Sequence, residues 1–194
     1  MSERWWLRFQ RGIALVGLVG LLPVIGIIAY LIKREDGGPI LFKQERWGKN
    51  RKSFVMWKFR TMKVGAEKEK KELLELNEAE GPVFKIRNDP RFTKIGRWLS
   101  HRGLDELPQL WNVVRGEMAL VGPRPLPIEE AKKVPKKYWR RYEVLPGMTS
   151  WWIVRGSHYQ LSFKEWMESD VKYVETKSWW EDVKIIIETL RVLV

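Results

Sequence analysis

The hydrophobic pattern of the chain opens with an uncharged apolar run over residues 12–32, flanked by cationic residues on both sides. As a straight helix, a run of about twenty residues is roughly 30 Å long, enough to cross a bilayer. Pro23 lies at the middle of the run, where a proline breaks or kinks a helix. The run is long for the apolar part of a signal peptide, and no small-residue cleavage site follows it. Because charge on both flanks does not choose a side, a spanning helix and a re-entrant hairpin both remain open.

Two short apolar runs around Gly48-Lys49-Asn50 predict a β-hairpin. On the second run, the alternation of a strand places Phe54, Met56 and Lys58 on one face. The hairpin is therefore the expected β-structure of the chain.

Four later stretches are predicted as helices, over residues 64–80, 92–100, 162–175 and 179–194. The first is highly charged and has a narrow apolar edge, which is typical of a surface helix. The second is expected to carry Arg97 and Trp98 toward the acid pair described below. The last is amphipathic and could pack on a core or lie at a bilayer, with an apolar face of Trp180, Val183, Ile187 and Leu190.

Composition and charge restrict the partners that the chain can have. Its 194 residues suit one domain, and the lack of cysteine excludes disulfides and thiolate metal sites. With only two histidines, a histidine-rich zinc site is not expected. The formal charge of +12 indicates an anionic partner, either nucleic acid, a membrane surface or a phosphorylated substrate. Twelve tryptophans, a residue that prefers membrane–water interfaces, favour the membrane.

A strongly basic stretch covers residues 128–141. Two interpretations are equally supported: a solvated face, or a surface on anionic lipid headgroups, where each cation contributes roughly 1 kcal/mol. The sequence has no glycine-rich phosphate loop, which excludes a P-loop NTPase at the level of motifs. It also has no recognisable base-reading module, so nucleic acid is not an expected partner.

Candidate chemistry is concentrated between Leu104 and Pro125. Asp105 and Glu106 are adjacent carboxylates at the predicted start of a helix, which Asp105 would cap and Gly116 would end. The dipole at such a position favours the ionised carboxylate, so Asp105 could serve as a nucleophile or as a magnesium ligand. The simpler alternative is that both acids only cap and decorate the first turn of the helix.

An arginine on a stiff backbone follows the acid pair, in Gly122-Pro123-Arg124-Pro125. The two proline rings lock φ on either side of Arg124 and so restrict the direction of its side chain. A rigid guanidinium fork is well suited to bind a phosphate. The acid pair and this arginine together suggest phosphoryl chemistry.

These motifs resemble those of the bacterial sugar transferase family, the monotopic polyprenyl-phosphate phosphoglycosyl transferases. The similar runs are Leu-Asp-Glu-Leu-Pro-Gln-Leu from Leu104, Gly-Glu-Met from Gly116 and Leu-Val-Gly-Pro-Arg-Pro from Leu120. Gln-Glu-Arg-x-Gly from Gln44 and Lys-Phe-Arg-Thr-Met from Lys58 are also similar. The resemblance covers nearly the whole chain.

The resemblance implies a fold that is α+β and predominantly helical. An N-terminal helix broken at Pro23 would re-enter the membrane, next to a short β-hairpin and amphipathic interfacial helices. Residues 1–36 would form the re-entrant element, and residues 37–194 a cytoplasmic catalytic domain that lies on the membrane surface. The expected location is the cytoplasmic face of the bacterial inner membrane.

The resemblance also implies roles for particular residues. Asp105 would attack the sugar-bearing phosphorus and carry the phospho-sugar covalently, and Glu106 would manage a proton or, with Asp105, hold Mg²⁺. Lys58 and Arg124 would bind phosphoryl oxygens. Three further site candidates are Arg102, Arg60 and Asp170.

The chain departs from the family pattern at two places. Where family members often have an arginine five positions before the aspartate, this chain has Ser100, and Arg102 lies three positions before it. The loop after Pro146 departs at Ser150, Trp152, Ile153, Arg155 and Ser157. If that loop helps to select the nucleotide sugar, the specificity of family members cannot be assigned to this chain.

The activity implied by the resemblance is transfer of a sugar 1-phosphate from a nucleotide diphospho-sugar, UDP-linked, to polyprenyl phosphate. UMP would be released in the first of two stages, and membrane lipids would be further partners. Two alternatives belong to other classes. One is a non-catalytic basic scaffold on the membrane, and the other is a hydrolase in which water accepts the group from the same aspartate.

Overall fold

The computed structural model describes residues 2–156 and 161–193. Two helices, α1 (Glu3–Gly20) and α2 (Leu22–Asp36), open the chain and are bent by 59° at their junction. The predicted break at Pro23 is confirmed, because this residue lies in the first turn of α2 and has no N–H to continue the ladder of α1. Within the described ranges, no single helix is long and apolar enough to cross a membrane, and the bent pair meets that test only jointly, by length and composition.

The predicted β-hairpin is confirmed. Strands β1 (Leu41–Trp47) and β2 (Ser53–Phe59) pair antiparallel, with Leu41 opposite Phe59 and Trp47 opposite Ser53. Opposite faces of β2 contact different parts of the core. Met56 packs with Ala14, Val113 and Met118, whereas Phe59 packs with Ile28, Ile32 and Leu99.

The predicted surface helix over residues 64–80 is wrong. The stretch contains one helical turn, α3 (Ala66–Glu69), and a 3₁₀ turn over Leu74–Leu76. Its apolar edge is too narrow to hold a longer helix on the core, and Asn77 instead fixes an irregular segment through its side chain. The Asn77 amide accepts from the backbone of Lys85 at 2.8 Å and donates to the carbonyl of Val83 at 3.0 Å.

Helix α4 (Lys94–His101) confirms the predicted helix over residues 92–100, with its ends shifted by one or two positions. Thr93 caps it by accepting from the N–H of Gly96 at 2.9 Å. The expected direction of two side chains is wrong. Arg97 donates to the carbonyl of Asp89 at 3.4 Å, and Trp98 is 44% exposed.

Helix α5 (Gln109–Arg115) ends at Gly116, as predicted, and leads into β3 (Ala119–Val121). After α6 (Ile128–Ala131), β4 (Gly147–Thr149) returns to pair parallel with β3, a pairing that the sequence did not predict. The backbone approaches very closely where Gly147, the first residue of β4, lies against Gly122, the residue after β3. A side chain on Gly147 would lie 2.0 Å from the nitrogen of Gly122, so the contact requires glycine.

The C-terminal part consists of α7 (Trp151–Val154), α8 (Phe163–Thr176) and α9 (Trp179–Leu193). The predicted helix over residues 162–175 is confirmed, and Ser162 and Glu165 form a capping box at its start. The helix predicted over residues 179–194 is also confirmed within the described residues. Its expected apolar face is largely exposed, because Trp180, Ile187 and Leu190 face outward while Ile185 is buried.

Helix α1 is tied to the rest of the molecule by a buried polar cluster. Asp182 of α9 accepts from the indole N–H of Trp6 at 2.7 Å, from Gln10 at 3.2 Å and from the hydroxyl of Tyr173 at 2.6 Å. Gln10 in turn accepts from the backbone N–H of Leu120 in β3 at 2.8 Å. These bonds fix α1 against α8, α9 and β3.

Candidate active site

The acid pair lies in a tight turn that precedes α5. Gly103 has a φ of +66°, which starts a 3₁₀ turn over Leu104–Glu106. The prediction that Asp105 caps a helix is wrong, since α5 begins only at Gln109. The reason is local: Pro108 has no N–H to donate, and the turn is closed by the N–H of Leu107 on the carbonyl of Leu104.

Glu106 lies between two cations from distant parts of the chain. The ammonium of Lys58 is 2.7 Å from Glu106 Oε1, and Nη2 of Arg124 is 2.5 Å from the same oxygen. Burial alone would raise the pKa of Glu106, but the charges of Arg124 and Lys58 outweigh it and hold the pKa well below its usual value. Glu106 is therefore a carboxylate whose oxygens are already engaged.

Asp105 lies beside this group and makes a looser contact with it. Its Oδ2 is 3.5 Å from the ammonium of Lys58, beyond the range of a short charged hydrogen bond. The side chain is largely buried, yet it lines a cleft of about 400 Å³ together with Lys58 and Arg124. The structure thus brings together four predicted residues, Asp105, Glu106, Lys58 and Arg124, and leaves Asp105 the less constrained of the two acids.

The backbone at Arg124 and Pro125 is held by two arginines, of which Arg141 is buried and Arg46 is partly buried. Arg141 donates from Nη2 to the carbonyl of Arg124 at 2.7 Å, and Arg46 donates to the carbonyl of Pro125. The guanidinium of Arg124 also lies 5.4 Å from the centre of the Trp152 ring. These contacts fix the position from which Arg124 reaches Glu106.

Asp170, predicted as a site candidate, is the partner of Arg141. Its Oδ2 accepts from Nε at 3.0 Å and from Nη2 at 2.7 Å, and both side chains are almost fully buried. The structure therefore connects Asp170 to the acid pair through Arg141 and Arg124. Arg141 was expected on an exposed basic face, and that part of the prediction is wrong, whereas its neighbours Lys132, Lys133, Lys136, Lys137 and Arg140 are exposed.

The other two arginine candidates lie apart from the acid pair. Arg60 lines the cleft, but its guanidinium is engaged by Asp36 at the end of α2, at 2.5 and 2.6 Å. Arg102 is exposed at the end of α4, with its guanidinium 4.8 Å from the centre of the Trp98 ring. The structure does not bring Arg102 into the cluster around Glu106.

Two residues that sequence reasoning missed, Arg46 and Lys85, also line the cleft. Arg46 belongs to the Gln-Glu-Arg-x-Gly run and could have been found from that motif. Lys85 lies in an irregular segment with no local pattern to distinguish it from the other lysines.

The acid pair supplies oxygen donors of the kind that Mg²⁺ prefers. Across residues 2–156 and 161–193, no group of three or more His, Cys, Asp or Glu side chains is arranged to hold a metal ion. Mg²⁺ is commonly held by one or two carboxylates together with substrate phosphates, so the donor set fits an ion that arrives with a phosphorylated substrate. Asp105 and Glu106 are the residues that would hold it.

The loop that departs from the family pattern lies next to the cleft. Trp152 stacks on Trp166, with ring centres 4.4 Å apart, and Ser150 is buried. Trp166 itself lines the cleft, so the loop supports one of its walls. Ser157 lies outside the described residues.

The chain is similar to known proteins over nearly its whole length. The family described as "Bacterial sugar transferase" matches residues 4–194. The galactosyl transferase CpsE of Streptococcus agalactiae is 42% identical over 179 residues, which cover 91% of this chain and 40% of that protein. The UDP-galactose-lipid carrier transferase of Erwinia amylovora is 38% identical over 181 residues, covering 89% and 37%.

A third relative is the UDP-glucose:undecaprenyl-phosphate glucose-1-phosphate transferase of Escherichia coli, 37% identical over 193 residues, covering 95% of this chain and 39% of that protein. The chain thus spans about two fifths of the length of these three curated relatives. The acid pair, its two cations and the broken N-terminal helix all fall inside the matched region. From the extent of that match, the chain belongs to the bacterial sugar transferase family.

Proposed function

We propose that the protein is a phosphoglycosyl transferase that moves a sugar 1-phosphate from a UDP-sugar to polyprenyl phosphate and releases UMP. The observation that carries this proposal is the acid pair on the cleft, with Glu106 fixed between Lys58 and Arg124 and Asp105 beside it. Two names of relatives support the same reaction class: that of the Escherichia coli protein includes UDP-glucose and undecaprenyl phosphate, and that of the Erwinia amylovora protein includes UDP-galactose and a lipid carrier.

The proposed reaction has two stages at one nucleophile. An oxygen of the Asp105 carboxylate attacks the phosphorus that bears the sugar, and the bond from this phosphorus to the bridging oxygen breaks. The electron pair leaves with UMP, and the sugar phosphate stays on Asp105. An oxygen of polyprenyl phosphate then attacks the same phosphorus and restores the carboxylate, which gives ping-pong kinetics.

The cations around the acid pair suit this chemistry. Lys58 and Arg124 can stabilise the charge on phosphoryl oxygens during both attacks. Because they also bond Glu106, they are oriented before substrate arrives. Bound Mg²⁺ would offset negative charge on the phosphates and on the departing UMP.

Attachment to the membrane through α1 and α2 is part of the proposal. Apolar side chains along this pair are strongly exposed, with Val16 at 74% and Ile27 at 62%. Both ends of the pair bond the same globular body: Glu3 of α1 lies 2.8 Å from Lys177, and Asp36 of α2 bonds Arg60, the residue after β2. A pair attached at both ends to one body favours re-entry over a span, with the body at the cytoplasmic face of the bacterial inner membrane.

The activity is tested by UMP release in the presence of Mg²⁺ and undecaprenyl phosphate, with UDP-glucose and UDP-galactose as donors. Without polyprenyl phosphate we expect at most one UMP per enzyme molecule. We expect release over many turnovers to depend on the polyprenyl phosphate, and all release to stop in Asp105→Asn. Release over many turnovers without polyprenyl phosphate would favour the hydrolase instead. No release from any UDP-sugar, together with intact membrane binding, would favour the scaffold.

The membrane topology is tested separately. The sequence has no cysteine, so Arg4→Cys and Arg34→Cys each provide a single labelling site on an exposed position. We expect a membrane-impermeant maleimide to label neither site in spheroplasts and both after permeabilisation. Labelling of one site from outside would show that the pair spans the bilayer.

A further inference from the structure

Lys85 is a cation of the cleft that forms no ion pair with Asp105 or Glu106. It lines the same cavity as Asp105 and Arg124. Its backbone is fixed, because the N–H donates to Asn77 at 2.8 Å and the carbonyl accepts from Glu78 at 2.8 Å. In the part of the chain that the structure describes, its ammonium group has neither a hydrogen bond nor an ion pair.

The other cations near the acid pair are already engaged. Lys58 and Arg124 both bond Glu106, and Arg60 bonds Asp36. Arg46 donates to the carbonyl of Pro125 and to the side-chain oxygen of Gln44. Lys85, by contrast, is surrounded by unfavourable influences. Burial, and then the positive charges of Arg124 and Lys58, lower the pKa of the Lys85 ammonium by more than the charges of Asp105 and Glu106 raise it. A half-buried charge without a bonded counter-ion is costly unless an anion enters the cleft beside it.

The charges of the acid pair and its two cations cancel. Asp105 and Glu106 carry two negative charges, and Lys58 and Arg124 carry two positive ones. A diphosphate would therefore meet no net attraction from these four groups. Lys85 adds a positive charge on the same cleft, where a substrate phosphate can form the charged hydrogen bond that the protein does not supply.

We propose that Lys85 binds a phosphate of the donor's diphosphate while Asp105 attacks. This inference rests on the proposed function, because it assigns Lys85 to the donor of that reaction. It would make Lys85 a substrate-binding residue next to Lys58 and Arg124, with no direct contact to the acid pair required.

The packing of the Lys85 segment favours the soluble donor over the lipid acceptor. Val83, two residues before Lys85, belongs to the core cluster of Leu126 and Trp166. The apolar helix α2 packs into a different cluster, with Phe59 and Leu99. Lys85 is thus carried by the part of the core that the proposed membrane element does not join.

The test is equilibrium binding of UDP-glucose, UDP-galactose and uridine to the full chain and to Lys85→Met. We expect the Kd for the UDP-sugar that wild type uses to rise about tenfold or more in Lys85→Met, the cost of one charged hydrogen bond, with uridine binding unchanged. Lys85→Arg, which keeps the charge, should recover part of the affinity. Lys71→Met removes an exposed lysine of the same region that does not line the cleft, and should match wild type.

Several results would overturn the assignment of Lys85. One is a folded Lys85→Met variant that binds the UDP-sugar with an affinity within twofold of wild type. Another is a variant that loses as much affinity for uridine as for the UDP-sugar. A raised KM for undecaprenyl phosphate with unchanged donor binding would move Lys85 to the acceptor. If Lys85→Met did not fold, Lys85→Arg and Lys85→Gln would be compared instead. Equal affinity of these two variants for the UDP-sugar would show that the positive charge does not contribute to donor binding. Failure of the proposed function is distinct, because wild type itself would then release no UMP, or would release it over many turnovers without polyprenyl phosphate.

Discussion

Two clusters of carboxylate and arginine in this molecule have the same chemistry and different surroundings. In one, Asp170 and Arg141 are 3% and 1% exposed. In the other, Glu106 and Arg124 are 18% and 22% exposed and lie at the cleft with Lys58 and Asp105. The Arg141 guanidinium bonds Asp170, the hydroxyl of Tyr142 and the carbonyl of Arg124, so its donors are directed at the protein.

The difference separates a structural ion pair from a reactive one. The closed pair has no room for a ligand and acts on the site only by holding the Arg124 backbone. The open cluster keeps one acid, Asp105, with a 3.5 Å contact and a cavity in front of it. The comparison predicts that substitutions in the open cluster reduce activity more than stability, and that those in the closed pair do the reverse.

The largest effect is expected for Asp105→Asn. The substitution removes the proposed nucleophile, so UMP release should fall by at least about ten-thousandfold. The variant should melt close to wild type, because Glu106 rather than Asp105 accepts the short bonds from Lys58 and Arg124. Turnover near the wild-type rate would show that the open cluster is not the reactive one.

The second-largest effect is a loss of stability, expected for Asp170→Asn. The change leaves the buried guanidinium of Arg141 without its counter-charge, which should lower the free energy of unfolding by about 3–5 kcal/mol. Denaturant titration in detergent measures this difference. A stability loss below about 1 kcal/mol, the range of exposed pairs, would mean that the pair is not closed as described.

A smaller effect is expected for Lys58→Met, in activity. Loss of one donor to the developing phosphoryl charge should reduce kcat by about a hundredfold. Lys43→Met on the paired strand is the matched control, since Lys43 is exposed and contacts the ring of Trp57. If both variants lost activity equally, the effect would belong to the hairpin and not to the site.

The smallest effect is expected for Glu129→Gln. Glu129 pairs with Lys132 at 3.0 Å, but the two side chains are 82% and 55% exposed. Such a pair contributes less than about 1 kcal/mol, so thermal melting and UMP release should both stay near wild type. A loss of stability comparable to that of Asp170→Asn would remove burial as the explanation for the difference between the clusters.

Sequence patterns predicted the elements that depend on residues close to one another in the chain. The two short apolar runs around Gly48 predicted the hairpin, and Pro23 predicted the bend between α1 and α2. The stretch over residues 64–80 failed because its charged residues permit a helix without requiring one. The chain there follows the side chain of Asn77, whose partner Lys85 lies eight positions away.

The sequence identified the main residues of the candidate site, but it did not predict how their side chains contact one another. The motifs identified Asp105, Glu106 and Arg124, and the resemblance added Lys58. No local pattern could show that Asp170 would pair with Arg141, since the two lie 29 positions apart and meet only through packing. Lys85 was missed for the same reason, because its importance depends on which side chains surround the cleft.

The covalent role of Asp105 can be tested by intact-protein mass spectrometry of the chain after incubation with a UDP-sugar and without polyprenyl phosphate. We expect a mass increase of one sugar phosphate that maps to Asp105, is absent in Asp105→Asn, and disappears when undecaprenyl phosphate is added. An unmodified chain under conditions where the first stage releases UMP would contradict it, as would an adduct on any other residue.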